Sequence, residues 1–483
     1  MVAAADVIVV GAGASGLSAA IEAAGAGAEV LVLEKNPVAG GSSRLSVGSI
    51  NAAGSVLQQR AGIVDTPDEH FEDMDHFMGP FAAQENRALR RLLVDNAADT
   101  LHWLMSLGLC FYGPTADPPH RHPRMHNVLP NSRAYPYYLS REARRCGAKL
   151  AFDAPVTALL TDAEGGVRGV AATLGGRPVE IEARRGVVLC AGDYSNGAAL
   201  KSRFRPELAG VPGVNPTATG DGHRLAEAVG AHIVNGEVVY GPGLRFGAPA
   251  VPSLLQRLPP SWALGKLMQL ALATLPAALF RPFVMSFMTA SLGPEAALLR
   301  GGAVLVNRDG ERFVDESQAP GLAIAAQPGG QAWLVLDDAL ARRFSAAPHA
   351  VSTAPGVAFA YLPDYRRHRK DLYRQAGSPA ELARRMGLPA GALERSLQGR
   401  GWQAPLHALG PLEARIVITD GGLAVDASHR VLRMDGGAIP RLWAAGAAGQ
   451  GGVLLAGNGH HLCWAVTSGR RAGHFAAAAA AGA

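Results

Sequence analysis

The chain has 483 residues, 48% hydrophobic and 18% charged, which allows two or three domains and excludes a small single-core module. The formal net charge is +5 without a concentrated basic stripe, which gives little support for nucleic-acid binding. The four cysteines (Cys110, Cys146, Cys190 and Cys463) are scattered, which argues against a disulfide framework and favours a reducing compartment. Because the sequence begins with a strand-like run and shows no export signal, we expect a cytoplasmic protein.

The first predicted element is a strand–helix–strand unit. The apolar, β-branched run 6–10 predicts a buried parallel strand. Gly11, Gly13 and Gly16 follow in GxGxxG spacing, and an alanine-rich helix leads to a second strand that ends at Glu34. This pattern predicts a turn that binds a pyrophosphate: its glycines allow a tight turn, a close backbone approach and close helix packing. Glu34 is placed to accept hydrogen bonds from ribose hydroxyls, which favours FAD or NAD over NADP.

The segment after this acid carries a family resemblance. It reads "NPVAGGSSRLSVGSINAAGS" from Asn36 to Ser55. It strongly resembles the flavoprotein subunits of fumarate reductases and succinate dehydrogenases, a family that includes the 3-ketosteroid dehydrogenases and related FAD-dependent desaturases. The resemblance implies FAD, with residues 40–43 along the pyrophosphate and ribityl chain and 46–49 beside the isoalloxazine. Members with covalent flavin carry a histidine in this segment. This chain has none there, so we expect non-covalent FAD.

Later segments extend the resemblance over most of the chain. "VVLCAGDYSNGAAL" resembles the strand that returns to the cofactor, and "TATGDGHRLAEAVGA" resembles a turn that opens a helix. The stretch 421–452 resembles the strands that close the FAD domain. Val156 falls where the family backbone meets the adenine. Together, the glycine motif and the resemblance imply these cofactor-binding residues: Gly11, Gly13, Ala14, Ser15, Gly16, Glu34, Lys35, Gly40, Gly41, Ser42, Ser43, Ser46, Val47, Gly48, Val156, Ala191, Gly192, Asp221, Gly446, Asn458, Gly459, His461 and Leu462.

The predicted architecture is an α/β fold in two parts. We expect a Rossmann-like (GR2-type) FAD-binding domain at 1–238 and 410–483, interrupted by an α+β capping or substrate domain at 239–409. Within the latter, the segment 258–293 is unusually apolar. Its uninterrupted runs are shorter than the roughly 20 residues of a membrane span. Three interpretations stay open: a buried helical pair, a lining for the entrance of an apolar substrate, or a peripheral contact with a membrane surface.

Two departures from the family bear on the substrate. Fumarate-type members clamp a dicarboxylate with arginines and histidines, and one arginine delivers the proton. The corresponding segment here, "DESQAPGLAIAA", has no arginine, and the second expected arginine falls near Ala456. Small residues cannot replace a bidentate arginine. The ketosteroid branch matches 456–459 better, but its two tyrosines fall at Leu455 and Gly321, so we infer no steroid substrate.

The candidate catalytic groups are histidines and tyrosines. The stretch 120–142 is dense in His, Arg and Tyr, and it is either a solvated loop or a wall of the substrate cavity. His460 follows the glycine that binds a ketone oxygen in the ketosteroid branch, and adjacent helical side chains point about 100° apart, so we expect only one of the late histidines to face the substrate. No metal-ligand spacing is present, and we expect no metal site. The predicted catalytic residues are His460, His126 and Tyr138, and the predicted substrate-binding residues are Gly459, His461, Tyr137 and Tyr240, with Tyr135 as a further candidate.

These observations lead to one main hypothesis and two alternatives. We expect an FAD-dependent oxidoreductase that forms or reduces a C–C double bond next to a carbonyl, on an apolar, cyclic ketone-type substrate. The first alternative is an unsaturated (di)carboxylate reductase that uses Arg124, His126 and the late histidines. The second is a flavin-carrying electron-transfer subunit. No second GxGxxG is present for NAD(P)H, so the electron donor or acceptor is external and unidentified.

Overall fold

The strand–helix–strand unit predicted at the N-terminus lies at the centre of the fold. The computed structural model describes residues 4–247, 258–276, 285, 292–316, 318–354 and 358–480. The elements up to residue 246 follow in chain order: β1 (Ala4–Val10), α1 (Ala14–Gly25), β2 (Val30–Leu33), β3 (Ser49–Asn51), α2 (Val56–Arg60), α3 (Pro67–Asp73), α4 (Arg87–Ser106), β4 (Cys110–Thr115), β5 (Met125–Leu129), α5 (Ala134–Arg145), β6 (Lys149–Ala151), β7 (Val156–Thr161), β8 (Val167–Leu174), β9 (Arg177–Leu189), α6 (Ala198–Phe204), α7 (Asp221–Glu227), β10 (Ile233–Val234), β11 (Val239–Tyr240) and β12 (Gly243–Phe246).

The later elements complete both parts of the fold. In chain order they are α8 (Trp262–Thr274), α9 (Ala296–Arg300), β13 (Val304–Val306), α10 (Gly321–Ala325), β14 (Gln331–Leu336), α11 (Asp338–Arg343), β15 (Ser352–Ala354), β16 (Ala358–Ala360), α12 (Leu362–His368), β17 (Tyr373–Ala376), α13 (Pro379–Met386), α14 (Ala390–Ser396), β18 (Leu406–Arg415), β19 (Ile418–Thr419), β20 (Gly422–Leu423), β21 (Arg430–Leu432), β22 (Ala438–Ala444) and α15 (His460–Ala478). Short 3₁₀ helices lie at Gly41–Leu45, Met74–Phe77, Gly79–Gln84, Pro206–Leu208 and Pro328–Gly330.

An eight-stranded sheet forms the first unit, in the order β21–β22–β9–β1–β2–β6, with β8 on β9 and β7 on β8. The pairs β1–β2, β1–β9, β2–β6 and β22–β9 are parallel. All four residues of β2 are buried, as expected for a parallel strand inside a sheet. The last helix, α15, packs against α1, where a Cβ on Gly473 would lie 2.2 Å from the carbonyl oxygen of Ala19. The predicted Rossmann-like α/β fold is therefore confirmed.

A five-stranded antiparallel sheet forms the second unit, in the order β12–β18–β14–β13, with β17 also on β18. It has its own apolar core, which includes Leu305, Leu334 and Leu409. The chain passes between the two units beside the short antiparallel pair β11–β19. The domain boundary predicted at residue 410 falls inside β18. This strand belongs to the second sheet along its whole length, so the boundary cannot lie within it. We propose instead that the interruption ends near residue 416.

The apolar segment 258–293 is described in part. Helix α8 places Gly265 and Met268 against Cys110 of β4, whereas Trp262, Leu267 and Leu270 are exposed by 57%, 63% and 61%. The predicted second helix of the pair falls on 277–284 and 286–291, which lie outside the described residues. Within the described ranges, no helix has both the length and the apolar character needed to cross a bilayer. The three interpretations of this segment stay predictions.

Candidate functional site

A deep groove runs along the carboxyl ends of β1, β2 and β9, where a parallel sheet of this type binds its ligand. The space between its walls, counted together with the open solvent at its mouth, is about 1130 Å³. Many of the predicted cofactor-binding residues line it: Gly11, Gly13, Ser15, Glu34, Lys35, Gly41, Ser42, Ser43, Ser46, Val156, Ala191, Gly192, Asp221, His461 and Leu462. Sequence analysis missed further lining residues from distant segments: Asn36, Asp193, Asn215, Thr217, Ile418, Gln450, Leu455 and Trp464.

The turn between β1 and α1 has the geometry of a pyrophosphate site. Gly11 has φ of +104°, and a Cβ on it would lie 2.5 Å from the carbonyl oxygen of Cys190. A Cβ on Gly16 would lie only 1.9 Å from the carbonyl oxygen of Gly11. Gly13 precedes α1 and has no side chain to cap the helix, and the N–H of Ala14 donates to Ser43 Oγ at 3.1 Å. A helix N-terminus at the edge of a groove is a favourable place to bind an anion.

Replacing Gly13 by alanine should leave the fold intact and weaken binding of FAD. A Cβ there would meet nothing closer than Ser43 Oγ at 3.9 Å, so the methyl group would intrude only on the ligand. We expect the Kd of the apoprotein for FAD to rise about 10- to 100-fold, as measured by quenching of flavin fluorescence. Gly16→Ala is the comparison, because its clash is with the backbone and should lower the melting temperature itself. An unchanged Kd in Gly13→Ala would place the pyrophosphate elsewhere.

The acid at the end of β2 is held by the groove wall. Glu34 is buried, and its carboxylate accepts hydrogen bonds from Ala12 N at 2.8 Å and from Asn36 N at 2.9 Å. Lys35 Nζ lies 2.6 Å from Asp221 Oδ2 at the start of α7. The Lys35 ammonium, with other donors, outweighs the effect of burial and holds the pKa of Asp221 below its ordinary value. The ion pair of Lys35 and Asp221 thus joins two predicted cofactor-binding residues across the groove, although they lie far apart in sequence.

The predicted cofactor-binding residues that do not line the groove support its edges. Gly446 packs against Ser15 of α1, and its N–H donates to Ser468 Oγ at 2.9 Å. Gly459 precedes α15 with φ of +88°, and a Cβ on it would lie 2.6 Å from Asn51 N. The others that lie outside the lining are Ala14, Gly16, Gly40, Val47, Gly48 and Asn458.

His461 is the late histidine that reaches the groove. Its Nε2 lies 2.7 Å from Oδ1 of Asp420, a fully buried carboxylate just after β19. Asp420 Oδ2 accepts from the hydroxyl of Tyr240 at 2.7 Å and from Leu455 N at 2.8 Å. The β11–β19 pair positions this contact, because it sets Tyr240 opposite Ile418. The structure therefore links two predicted residues through an aspartate that sequence analysis did not identify.

The electrostatics of this triad favour an ionised aspartate. Burial alone raises the pKa of the Asp420 carboxyl, but the charge and hydrogen bond of His461, with the donors Leu455 and Tyr240, outweigh it, so the pKa lies below its ordinary value. Burial and the Asp420 carboxylate together raise the pKa of the Tyr240 hydroxyl well above its ordinary range. Because the carboxylate can only accept, the proton of the His461–Asp420 hydrogen bond must sit on Nε2 of His461.

His460 points away from the groove. It is fully buried, and its Nδ1 lies 2.7 Å from the carbonyl oxygen of Ala456. Its Nε2 lies 3.2 Å from Nε2 of His70, and its ring also packs against His120. Neighbouring helical side chains diverge by about 100°, so only one of the two late histidines can face the groove. That residue is His461, whereas sequence analysis favoured His460.

The other predicted catalytic and substrate residues also lie outside the groove lining. His126 on β5 is fully buried with Nε2 2.9 Å from Ser55 Oγ, and burial lowers its pKa to about 4. Tyr138 is buried against Gly108 on the inner face of α5, and Tyr137 is 42% exposed beside a shallow surface pocket. Tyr135 donates its hydroxyl to the carbonyl oxygen of Gly48 at 2.9 Å. Their positions are explained by packing of the first unit.

Comparison with known proteins gives a family match over most of the chain. The family model described as "FAD binding domain" matches residues 6–251 and 261–459. The chain is 26% identical to the NADH:fumarate oxidoreductase of Klebsiella pneumoniae (strain 342), over 99% of this chain and 48% of that protein. The chain thus spans about half the length of this curated relative.

Solved structures share the fold. A flavocytochrome c3 fumarate reductase in an open conformation superimposes with a TM-score of 0.75 at 23% identity, over 98% of this chain and 78% of that chain. The 3-ketosteroid Δ4-(5α)-dehydrogenase from Rhodococcus jostii RHA1 gives 0.61 at 24% identity, over 98% and 96%. The resemblance to both branches that the sequence predicted is therefore confirmed at the level of the fold.

Proposed function

The chain belongs to the FAD binding domain family, its cofactor is FAD, and from that membership we propose an oxidoreductase that forms or reduces a C–C double bond next to a carbonyl. The observation that carries the proposal is His461, which the buried Asp420 holds at the groove wall. FAD supplies hydride exchange with a substrate carbon when it is bound. The protein must then supply a group that moves a proton on the neighbouring carbon.

His461 is suited to that proton transfer. Its Nε2–H is engaged by Asp420, which leaves Nδ1 as the ring atom that gives or takes the substrate proton. The imidazolium formed when Nδ1 is protonated lies against a buried carboxylate, and Tyr240 and Leu455 N hold that carboxylate in place. Asp420 and Tyr240 thus act through His461 as positioning residues. The apolar walls formed by Leu455, Ile418 and Trp464 limit the water that competes for the proton.

The charges along the groove favour an uncharged carbonyl substrate. Among the residues described as lining it, Lys35 carries a fixed positive charge, and it is paired with Asp221. Arg124 is fully buried and bound to Asp65 at 2.8 Å and to Asp73 at 3.0 Å, so it has no free donor pair for a substrate carboxylate. A carboxylate without a bidentate arginine would lose most of its binding energy.

A carboxylate reductase remains the second candidate, because the Klebsiella relative is named for fumarate. The protein should be loaded with FAD, reduced chemically without oxygen, and mixed with a cyclic enone, with fumarate or with an unsaturated monocarboxylate at equal pH and salt. We expect the enone to restore the oxidised flavin spectrum fastest, with the saturated ketone as product. Faster reoxidation by either acid would establish carboxylate chemistry instead.

The electron partner is proposed as an external carrier. The glycine motif of β1 and α1 is assigned to FAD, and the sequence shows no second GxGxxG motif for NAD(P)H. A flavin-carrying subunit is the third candidate. If the isolated chain turned over only in a stable complex with another protein, whatever artificial donor were added, that candidate would replace the oxidoreductase proposed here.

A further inference from the structure

Three buried histidines converge beside the loop 456–459. His70 lies on α3, His120 in the loop before β5, and His460 at the start of α15. One ring nitrogen from each lies within 4.8 Å of the other two, and Nε2 of His70 is 3.2 Å from Nε2 of His460. Ring centroids are 5.2 to 5.5 Å apart, and all three side chains are buried. The proposed oxidoreductase chemistry uses none of these imidazoles.

The three imidazoles are buried, which disfavours their charged forms, and the neutral ring is the form that binds a metal. The hydrogen bond from Nδ1 of His460 to the carbonyl oxygen of Ala456 fixes the tautomer, since a carbonyl accepts only from an N–H. Nε2 of His460 therefore keeps its lone pair, and this lone pair faces the centre of the cluster.

Two polar atoms around the cluster lack a hydrogen-bond partner among the described residues. These are Nδ1 of His70 and Oδ1 of Asn51, both buried. The carboxamide of Asn51 lies at the cluster, with Nδ2 3.2 Å from Nε2 of His120 and 3.5 Å from Nε2 of His460. The same Nδ2 donates to the carbonyl oxygen of Asn458 at 2.6 Å, which fixes the orientation of the carboxamide. Asn51 therefore borders the cluster with its N–H group and is not one of the ligands.

The surrounding shell carries excess negative charge. Asp65, Asp73 and Asp117 are buried in the shell around the cluster, and the cations paired with them are the buried Arg124 and the partly exposed Arg121. Three negative charges thus stand against two positive charges, and the remaining negative charge favours a bound cation. Arg124 Nη1 donates to Nδ1 of His120 at 3.1 Å, so the proton of this ring sits on Nε2. Metal binding at Nε2 would move the proton to Nδ1, and Asp73 Oδ2, now 3.8 Å away, would have to move closer to accept it.

We propose that His70, His120 and His460 form a three-histidine binding site for a divalent transition-metal ion of the zinc type. Neutral imidazoles suit Zn²⁺, and bonds of about 2.0–2.1 Å in a tetrahedron separate ligand atoms by a little over 3 Å, close to the His70–His460 distance. The ion joins α3, the loop before β5 and the first turn of α15. It thereby fastens the loop 456–459 that precedes His461.

Metal content of the FAD-loaded protein tests this directly. The protein is produced with added zinc, freed of loose metal by gel filtration, and measured by elemental analysis. We expect about one Zn²⁺ per chain in the wild type, and less than a tenth of that in His70→Gln and in His460→Gln. His474→Gln is the matched control, because His474 is an exposed histidine on the same helix as His460 and should leave the metal content unchanged.

If His70→Gln and His460→Gln, the two cluster variants, fail to fold, a second measurement tests whether the metal site exists. The wild-type protein is stripped with a chelator and titrated with Co²⁺ alone, and the difference spectrum is followed. A saturable spectrum of tetrahedral nitrogen-bound cobalt, together with a melting temperature that rises with added Zn²⁺, supports the site. Wild-type protein that carries no metal and binds neither ion saturably overturns it. So does full binding that persists in both folded cluster variants.

Discussion

Replacing His461 by alanine should lower kcat by a factor of about 10² to 10⁴ without loss of FAD, because the proton donor is removed while the groove keeps its other walls. Turnover is followed with the substrate identified by the reoxidation experiment, and FAD content is measured by absorbance. His474→Ala is the matched control, since it removes an exposed histidine from the same helix. Full turnover in a His461→Ala protein with normal FAD content would refute the assignment.

Substitutions of the two positioning residues, Asp420 and Tyr240, should lower kcat to different degrees. Asp420→Asn keeps the shape of the side chain but removes the charge beside the imidazolium and allows the amide to donate toward Nε2. We expect kcat to fall about 10²-fold or more, with little change in KM. Tyr240→Phe removes one donor to Asp420 and should cost less. A larger loss in Tyr240→Phe than in Asp420→Asn would mean that Tyr240 contacts the substrate itself.

The metal-free protein should lose much of its stability between pH 7 and pH 5. The pKa of His120 is about 2 and that of His460 about 4 in the folded state, against about 6.5 in the unfolded chain. A depressed folded pKa means that the unfolded state binds the proton first. The stabilisation of the folded protein by these neutral histidines is therefore complete above pH 6.5. It is lost as the pH falls toward the pKa values that the histidines have in the folded state. Linkage gives about 2 kcal/mol per histidine at pH 5.

Urea unfolding at the two pH values measures this loss. His120 and His460 together should lower the free energy of unfolding by about 4 kcal/mol, a large part of the usual total of about 5–15 kcal/mol. The buried histidines His70, His126, His223 and His429 act in the same direction. His70→Gln should reduce the dependence on pH, and His474→Gln should not. Equal free energies at both pH values would show that these rings are protonated in the folded protein.

Local sequence patterns predicted the cofactor half of the site because its contacts are local. Gly11, Gly13, Gly16 and Glu34 all belong to one strand–helix–strand unit, and their spacing follows from the geometry of a turn. The groove residues Asn215 and Gln450 are brought in by strand pairings that no periodicity reveals. The same limit explains the predicted boundary at residue 410, since nothing in the sequence marks β18 as continuous across it.

The proton-transfer half was harder to predict because it depends on long-range packing. A lone aspartate before two glycines, as in "TDGG", is typical of a turn, and Asp420 becomes a buried partner of His461 only through the β11–β19 pairing. The family resemblance indicated Tyr240 and His461 as separate candidates. No sequence pattern indicated that their side chains meet at the same aspartate. The choice between His460 and His461 turns on where α15 begins, and that start is set by the close approach of Gly459 to Asn51.

The left-handed glycine at the start of α15 has a consequence for insertions and deletions. Gly459 fixes the first helical residue, and from there His460 turns into the buried cluster and His461 into the groove. One residue added after Gly459 would rotate both imidazoles by about 100° and misplace both at once. Substitutions can alter either histidine separately, whereas length changes cannot. Related chains should therefore vary in the identity of these two side chains far more readily than in the length of the loop before them.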